Sequence, residues 1–157
     1  MKIPIQRAAV RLILSMLVVV LTIGVTAQRS YGQERKAINL SPNRGLPFSD
    51  GVVAGNTLYL AGTEGTDASD KLVAGGIGPE TAAALENIQK ILKAAGFELK
   101  DVVSVTVYLA DIGEFPDMNK VYKSVLPDPK PTRATVQVAA LVNHARIEIS
   151  AIAVKQK

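Results

Sequence analysis

The sequence predicts an α+β fold, a single domain in which two helices cover one face of a mixed β-sheet. Three segments alternate apolar and polar residues, as half-buried strands do, and two others repeat apolar residues at helical spacing. Of the 157 residues, about 130 remain behind an N-terminal leader, which is the usual size of one domain with one core.

The leader has the pattern of a cleavable secretory signal over residues 1–27. Lys2, Arg7 and Arg11 precede an uncharged run over residues 12–27, which ends in small residues that a signal peptidase accepts. A retained membrane anchor is the alternative, but about 16 uncharged residues are short for a span that needs about 20. We therefore expect an exported protein, periplasmic or secreted in a bacterium, with no stable membrane span after cleavage.

Behind the leader, residues 28–45 are predicted to be a flexible arm and residues 46–157 the folded domain. The net charge is +4, but Lys2, Arg7 and Arg11 supply three of these charges, so the domain is nearly neutral. Phosphate binding needs clustered Lys and Arg, so we expect no nucleic-acid partner. The absence of Cys excludes disulfides, thiolate metal sites and a Cys nucleophile.

The domain is predicted to begin with a β-hairpin. Residues 52–54 and 57–60 flank Gly55-Asn56, a pair that tolerates the positive φ of tight hairpin turns. The polar residues 63–70 then predict a loop, and residues 71–74 a short strand.

A helix and a long strand follow. Pro79 suits the first turn of the helix and Gly96 its end. Its inward residues are expected to be Leu85, Ile88, Leu92 and Ala95. In the strand, residues 102–109, the residues expected to face the core are Val103, Val105, Val107 and Leu109.

A second helix is predicted after Asp111 and Glu114, whose spacing resembles a capping box. Prolines at positions 127, 129 and 131 end it and form a stiff connector. Its inward residues are expected to be Phe115, Met118, Val121, Tyr122 and Val125.

The last two strands, residues 132–138 and 146–154, each have a polar row and an apolar row. The polar rows, predicted on the uncovered face of the sheet, need water or another subunit to satisfy them. The first polar row is Arg133, Thr135 and Gln137, and the second is Arg146, Glu148 and Ser150.

Six segments, in this order and spacing, resemble the RidA (YjgF) family from about residue 46 to residue 154. They are Ala74-Gly75-Gly76-Ile77, Ala84-Leu85-Glu86-Asn87-Ile88, Asp101-Val102-Val103, Met118-Asn119-Lys120-Val121-Tyr122, Pro131-Thr132-Arg133 and Ile147-Glu148-Ile149. The resemblance implies a chorismate-mutase-like fold that assembles as a homotrimer with small-molecule clefts between subunits. It also implies hydrolysis of reactive 2-imino acids, such as 2-iminobutanoate and 2-iminopropanoate, to 2-oxo acids and ammonia, without cofactors.

Arg133 matches the family Arg that binds the substrate carboxylate, for which a guanidinium suits because it gives two parallel charged hydrogen bonds. The alternative is an ion pair between Arg133 and Glu148. His144 has no second ligand at a suitable spacing, so we predict no metal site.

Ser150 stands where the family pattern Ile-Glu-Ile-Glu has its second Glu, the residue that holds the attacking water. We assign Ser150 as the catalytic residue in place of this Glu, although a hydroxyl is a far poorer proton acceptor than a carboxylate. Glu148 lies two residues away, about 6.6 Å along a strand, so it cannot replace that carboxylate unless the substrate pose shifts.

Four further residues are predicted to bind substrate. Gly62 matches a family Gly. Phe48 replaces a family Tyr, either lining the cleft or packing its loop against a neighbouring subunit. Asn119 matches a family Asn, or hydrogen-bonds nearby backbone. Thr135 shares the face of Arg133, touching ligand or filling the trimer interior. Glu64 is predicted to be a solvated loop charge rather than a cleft carboxylate.

The sequence therefore predicts an imine deaminase. The alternative function is a non-catalytic trimeric module that binds small carboxylates, because the acidic residue of the family is Ser150 here. A ribonuclease activity is disfavoured by the near-neutral charge and by the absence of a basic stripe with interleaved aromatic residues.

Overall fold

The computed structural model describes residues 34–41 and 45–156, which form the predicted α+β arrangement of one mixed sheet and two helices. The strands are β1 (Arg35–Ile38), β2 (Gly51–Ala54), β3 (Thr57–Glu64), β4 (Val102–Leu109), β5 (Thr132–Gln137) and β6 (Ile147–Val154). The helices are α1 (Ile77–Ala94) and α2 (Phe115–Val125). The predicted leader, residues 1–27, lies outside the described residues. Among the described residues, neither α1 nor α2 combines the length and the apolar composition that a bilayer span requires.

The sheet has the strand order β1-β2-β3-β6-β4-β5, with β4 and β5 parallel and the other neighbouring pairs antiparallel. Both helices pack on one face of it, and the hydrophobic core lies between these two layers. Fully buried members of the core include Leu58, Leu92, Val107, Met118 and Ile149. The opposite face, which we call the open face, carries no helix of the described chain.

The predicted hairpin is confirmed. β2 pairs with the first half of β3 through a turn in which Gly55 has a φ of 63°. β3 continues past the predicted end at residue 60, as far as Glu64, and this extension brings Gly62 and Glu64 into the sheet.

β1 lies in the segment predicted to be a flexible arm, and for Arg35–Ile38 that prediction was wrong. These residues pair antiparallel with β2, and Ile38 is buried in the core. This strand could not be predicted from the sequence pattern. An edge strand is stabilised mainly by backbone hydrogen bonds, which polar residues make as well as apolar ones.

The prediction of a short strand over residues 71–74 was also wrong. Leu72 makes a single bridge to Thr66. A carboxylate oxygen of Asp67 accepts hydrogen bonds from the N–H groups of Ser69 (2.8 Å) and Lys71 (3.1 Å), which bends the segment into a turn.

α1 begins at Ile77, two residues before the predicted start, and Gly96 ends the helical segment with a φ of 80°. The predicted inward residues Leu85, Ile88 and Leu92 are buried, whereas Ala95 is only half-buried. The helical periodicity of the sequence therefore predicted the buried face of α1 correctly.

In β4, a register irregularity between Val102 and Ser104 corrects one predicted core residue. Val103 is 45% exposed, while Val102 takes its place in the core. Val105, Val107 and Leu109 are buried as predicted, because the alternation resumes after the irregularity.

α2 is preceded by a 3₁₀ turn over Ile112–Glu114, in which Asp111 accepts a hydrogen bond from the N–H of Gly113 at 2.8 Å. Asp111 thus caps this turn, but the Glu114 side chain binds Arg146 instead of completing a capping box. Met118 and Tyr122 are buried as predicted.

The predicted orientation of β5 was wrong. Arg133 and Thr135 pair with Val105 and Val107, which face the helices, so the polar row lies on the helix face. The apolar row lies on the open face, where Val136 is 44% exposed. The polar row can lie on the helix face because β5 is an edge strand. In addition, aromatic rings of α2 contact the guanidinium of Arg133.

Candidate active site

Arg133 is held by two aromatic rings of α2. Its guanidinium carbon lies 4.4 Å from the centre of the Tyr122 ring and 5.4 Å from that of Phe115. The face of an aromatic ring attracts a cation at such distances. Phe115 and Tyr122 are seven residues apart, two helical turns, so α2 presents both rings to the same strand.

The alternative sequence interpretation of Arg133, an ion pair with Glu148, does not hold. Glu148 pairs with Tyr108 in the sheet and lies on the open face, whereas Arg133 lies on the helix face. The guanidinium is therefore held by rings and not by this carboxylate, and its N–H groups remain suited to an anion.

Asn119 and Thr135 lie on the same surface as Arg133. Asn119 follows Phe115 by four residues and precedes Tyr122 by three, so helical spacing places it beside both rings. Thr135 follows Arg133 by two residues and faces the same way. The sequence predicted that Thr135 shares the face of Arg133, and the register of β5 agrees with this prediction.

Two buried hydroxyl groups on this surface, those of Tyr122 and Thr135, have no hydrogen-bond partner among the described residues. Buried polar groups are normally satisfied, so unpaired ones beside a guanidinium point to a ligand or a neighbouring molecule. Burial raises the pKa of Tyr122, although the positive charge and the nearby N–H donors of Arg133 oppose this shift. The phenol therefore stays protonated and can donate a hydrogen bond.

A second surface is an open cleft of about 1040 Å³, lined by Phe48, Gly62, Glu64, Asn143 and Glu148 among others. Phe48 is 56% exposed and forms part of its wall. A Cβ atom on Gly62 would lie only 1.9 Å from Oε1 of Glu148. The carboxylate of Glu148 therefore occupies the space that a side chain at position 62 would fill.

Glu64 lies directly opposite Glu148 in the β3–β6 ladder and lines the same cleft. The amide Nδ2 of Asn143 donates a hydrogen bond to Oε2 of Glu64 at 3.3 Å. Burial raises the pKa of Glu64, the Asn143 hydrogen bond opposes the rise, and the charges of Glu148 and Glu80 add to it. Glu64 is thus a half-buried cleft residue, and the prediction of a solvated loop charge was wrong.

Ser150 lies on the open face, opposite the register irregularity between Leu60 and Thr63. It lines a shallow depression of about 110 Å³ with Tyr59 and Thr106. Ser150 is therefore close in register to Gly62, but it faces away from the surface that carries Arg133. Within one chain, the predicted site residues form two groups that do not meet.

A network of charged residues connects the starts of α1, α2 and β6. A side-chain nitrogen of Arg146 lies 2.5 Å from Oε1 of Glu114, and its backbone N–H donates to Oε2 of the buried Glu80 at 2.8 Å. One further oxygen of Glu114 is buried without a partner among the described residues. This network fixes the position of α2, and hence of the two rings that hold Arg133.

Sequence reasoning missed the roles of Phe115, Tyr122 and Glu148. Helical periodicity predicted only that the two aromatic residues face the core. An aromatic residue that contacts a cation and one that packs on Leu occur at the same helical spacing, so the pattern does not distinguish them. Nothing in the sequence indicated that the Glu148 carboxylate lies against Gly62, because that contact depends on how β3 and β6 pair.

The chain is similar to known proteins over most of its length. Residues 39–155 match the family model described as Endoribonuclease L-PSP. The bovine protein named 2-iminobutanoate/2-iminopropanoate deaminase is 48% identical over 110 residues, which cover 69% of this chain and 80% of that protein.

Two similar solved structures have comparable coverage. RidA from the Antarctic bacterium Psychrobacter sp. PAMC 21119 has a TM-score of 0.72 and 36% identity, covering 76% of this chain and 99% of that one. TdcF of E. coli, solved with bound serine, has a TM-score of 0.71 and 29% identity, covering 77% and 99%.

Proposed function

The chain belongs to the RidA family, and we propose that it hydrolyses reactive 2-imino acids to 2-oxo acids and ammonia. Relatives that are 44–48% identical and are named imine deaminases support the proposal. The reaction adds water to a C=N bond and expels ammonia, so it needs an anchor for the substrate and groups that move protons.

The observation that carries the proposal is the position of Arg133. Its guanidinium is held over the rings of Tyr122 and Phe115, which leaves its N–H groups for a substrate carboxylate in a paired, charge-assisted geometry. The unpaired hydroxyls of Tyr122 and Thr135 lie on the same surface and suit the polar end of an amino-acid-sized ligand.

We further propose that the complete site forms between copies of the chain in a homotrimer. Arg133 and Ser150 lie on opposite faces of the sheet, so one chain cannot present both to one small substrate. Arg133 lies on the edge strand β5, where a second copy can bring the cleft of Phe48 and Gly62 against it.

The test is release of ammonia and 2-oxo acid from freshly generated 2-iminopropanoate, with and without the purified protein. Arg133→Ala should reduce kcat/KM by about tenfold to a hundredfold, since a hydrogen bond to a charged group contributes about 1.5–3 kcal/mol. Arg35→Ala, which removes an exposed guanidinium from β1, is the matched control and should leave the rate unchanged.

Equal rates with and without the wild-type protein would refute the proposal. A wild-type rate that Arg133→Ala leaves unchanged would refute the assignment of the anchor. Arg133→Lys separates charge from geometry, because an ammonium keeps the charge but lacks the planar pair of donors.

The alternative of a non-catalytic carboxylate-binding module is not favoured, because close relatives carry the names of imine deaminases. A ribonuclease activity, which the description of the matching family names, is disfavoured by the charge of the cleft. Among the described residues that line the cleft, the acidic ones are Asp50, Glu64, Asp67, Asp70 and Glu148, against one Lys. Such a surface repels the phosphate backbone of RNA.

A further inference from the structure

The open cleft is larger than the smallest substrates of the proposed reaction require. Its volume is about 1040 Å³, at the upper end of the range of about 300–1,000 Å³ that suits drug-sized ligands. The cleft also contains the Glu64 carboxylate, which an uncharged substrate side chain does not need. We propose, on the basis of the proposed imine hydrolysis, that Glu64 selects 2-imino acids with a long, positively charged side chain, the class derived from basic amino acids.

Glu64 is held in the cleft by the sheet and by one hydrogen bond. It ends β3, and the Nδ2 of Asn143 donates to its Oε2 at 3.3 Å. Asn143 lines the cleft too, with a φ of 55°, a left-handed conformation that Asn adopts more readily than most residues. The hydrogen bond fixes one oxygen of Glu64, while Oε1 accepts none from the described residues. This oxygen is therefore suited to a ligand.

No cation of the described cleft residues neutralises Glu64. Lys90 is the only basic residue among those that line the cleft. Its Nζ lies 3.0 Å from Oε1 of Glu86 and donates to Oδ1 of Asn87 at 3.1 Å, so it is engaged along α1. Neither Glu64 nor Glu148 forms an ion pair within the described part of the chain.

The surroundings of Glu64 disfavour its negative form. Burial raises the pKa of this carboxyl group, the hydrogen bond from Asn143 opposes the rise, and the charges of Glu148 and Glu80 add to it. An opposite charge nearby favours the ionised form of a carboxyl group. A positively charged ligand would therefore supply the compensation that the described residues do not provide.

Large apolar side chains line the same cleft and are exposed in the described chain. They are Leu40, Leu46, Phe48 and Val142, each 42–68% exposed. Apolar walls of a pocket contact the apolar part of a ligand. The methylene stem of a basic side chain packs on such a surface while its charged head reaches a polar group. The cleft thus suits a side chain that is apolar along its length and charged at its end.

The cation that this site fits is organic. Among the described residues, no group of three or more His, Asp or Glu side chains is placed to hold a metal ion. A guanidinium, in contrast, pairs with a single carboxylate through two parallel hydrogen bonds. Arg133 would bind the substrate carboxylate and Glu64 the opposite end of the substrate. Two anchors of opposite charge discriminate against substrates that lack either charge.

The experiment compares two substrates that differ in charge but are nearly identical in shape. They are 2-imino-5-guanidinopentanoate and 2-imino-5-ureidopentanoate, freshly generated from arginine and citrulline by an amino-acid oxidase. For the purified wild-type protein, kcat/KM should be at least about tenfold higher with the guanidino substrate, the lower end of what a hydrogen bond between charged groups contributes. In Glu64→Gln the ratio of the two values should fall to about one.

The ratio is its own control for folding, because a damaged protein loses activity towards both substrates alike. Glu86→Gln removes an exposed carboxylate from α1, outside the residues that line the cleft, and should keep the wild-type ratio. Asn143→Ala removes the hydrogen bond that fixes Glu64 and should lower the ratio by less than Glu64→Gln does. Calorimetric titration with arginine and with citrulline, which do not react, measures the same selectivity without catalysis.

The outcomes separate this inference from the proposed function. If wild type hydrolyses 2-iminopropanoate but has a ratio near one, only the role of Glu64 is refuted. A high ratio that Glu64→Gln leaves unchanged also refutes that role. If wild type hydrolyses no imine but binds arginine at least about tenfold more tightly than citrulline, and Glu64→Gln abolishes the difference, the proposed function fails and the cation site stands. Neither hydrolysis nor selective binding would refute both.

Discussion

At Gly62 the absence of a side chain makes room for a carboxylate. The Glu148 side chain lies against this glycine so closely that any Cβ atom would overlap Oε1. The overlapping group is the far end of a flexible side chain, so it can rotate away at little energetic cost. The residue at position 62 therefore controls where the Glu148 carboxylate lies. It has only a small effect on the stability of the fold.

Gly62→Ala should consequently separate activity from stability. We expect the new methyl group to displace the Glu148 carboxylate and to lower kcat for 2-iminopropanoate by at least tenfold, with little change in melting temperature. Steady-state kinetics and thermal melting measure the two effects. Gly78→Ala, which meets open space, is the control for kcat. An unchanged kcat would show that hydrolysis does not depend on the position of the Glu148 carboxylate.

The raised pKa of Glu64 predicts how stability depends on pH. A folded-state pKa above the ordinary 4.5 means that the native state binds this proton more tightly than the unfolded chain does. The contribution is complete below pH 4.5 and is lost as the pH rises through the folded pKa. Glu64→Gln should therefore raise the melting temperature at pH 7 relative to wild type. It should also make the melting temperature depend less on pH above pH 4.5. A variant that melts lower at pH 7 would contradict this expectation.

At the scale of elements, the end of β3 approaches the first turn of α1 through Gly65. A Cβ there would lie 2.2 Å from the carbonyl oxygen of Glu80 and 2.7 Å from its Cα. These are backbone atoms of a helix, and the Glu80 side chain is itself fixed by the N–H of Arg146. Neither partner can yield, so the contact sets the distance between the sheet and α1.

Gly65→Ala should lower the free energy of unfolding by about 1–3 kcal/mol or more, the usual cost of overpacking. Gly78→Ala, inside α1 with free space around it, should instead raise it by about 0.4–1 kcal/mol, because alanine restricts the unfolded chain. Urea denaturation of the two variants beside wild type measures both changes. Equal stabilities would mean that β3 and α1 can move apart freely.

At the scale of the whole molecule, the open face of the sheet lacks a covering layer in the described chain. Tyr59 is 50% exposed there and Val136 is 44% exposed. Apolar side chains exposed on a sheet face favour burial against another surface. A second and third copy of the same chain would cover them and would also complete the two halves of the site.

We therefore expect the wild-type protein to sediment as a trimer at micromolar concentration. Val136→Asp should shift it towards monomer while retaining its far-ultraviolet circular dichroism, because a charge buried in an interface is costly. Ala82→Asp, on the exposed side of α1, should remain trimeric. A stable wild-type monomer would refute both the trimer and the site assembled between copies.

Export is a separate prediction about the whole chain. Expressed in a bacterium with its residues 1–27, the protein should appear outside the cytoplasm with residue 28 at its N-terminus. Cell fractionation followed by N-terminal sequencing checks both points. Full-length chain retained in the membrane fraction would instead support the anchor alternative.

The fold was largely predictable from local patterns. The period of α1 and the alternation in β6 each identified a buried face correctly, because a regular element repeats its own core contacts. Val103 was misplaced because a register irregularity is invisible in an alternating sequence. β1 was missed because its pairing with β2 stabilises it more than its own composition does.

Local sequence patterns predicted the α+β class, the order of most elements and the candidate residues Arg133, Gly62 and Ser150. They did not predict that Arg133 faces the rings of α2 or that Glu148 lies against Gly62, which are contacts between distant segments. An alternating pattern separates the two faces of a strand but does not indicate which face meets the helices. Contacts between strands depend further on register, which residues distant in the sequence set jointly.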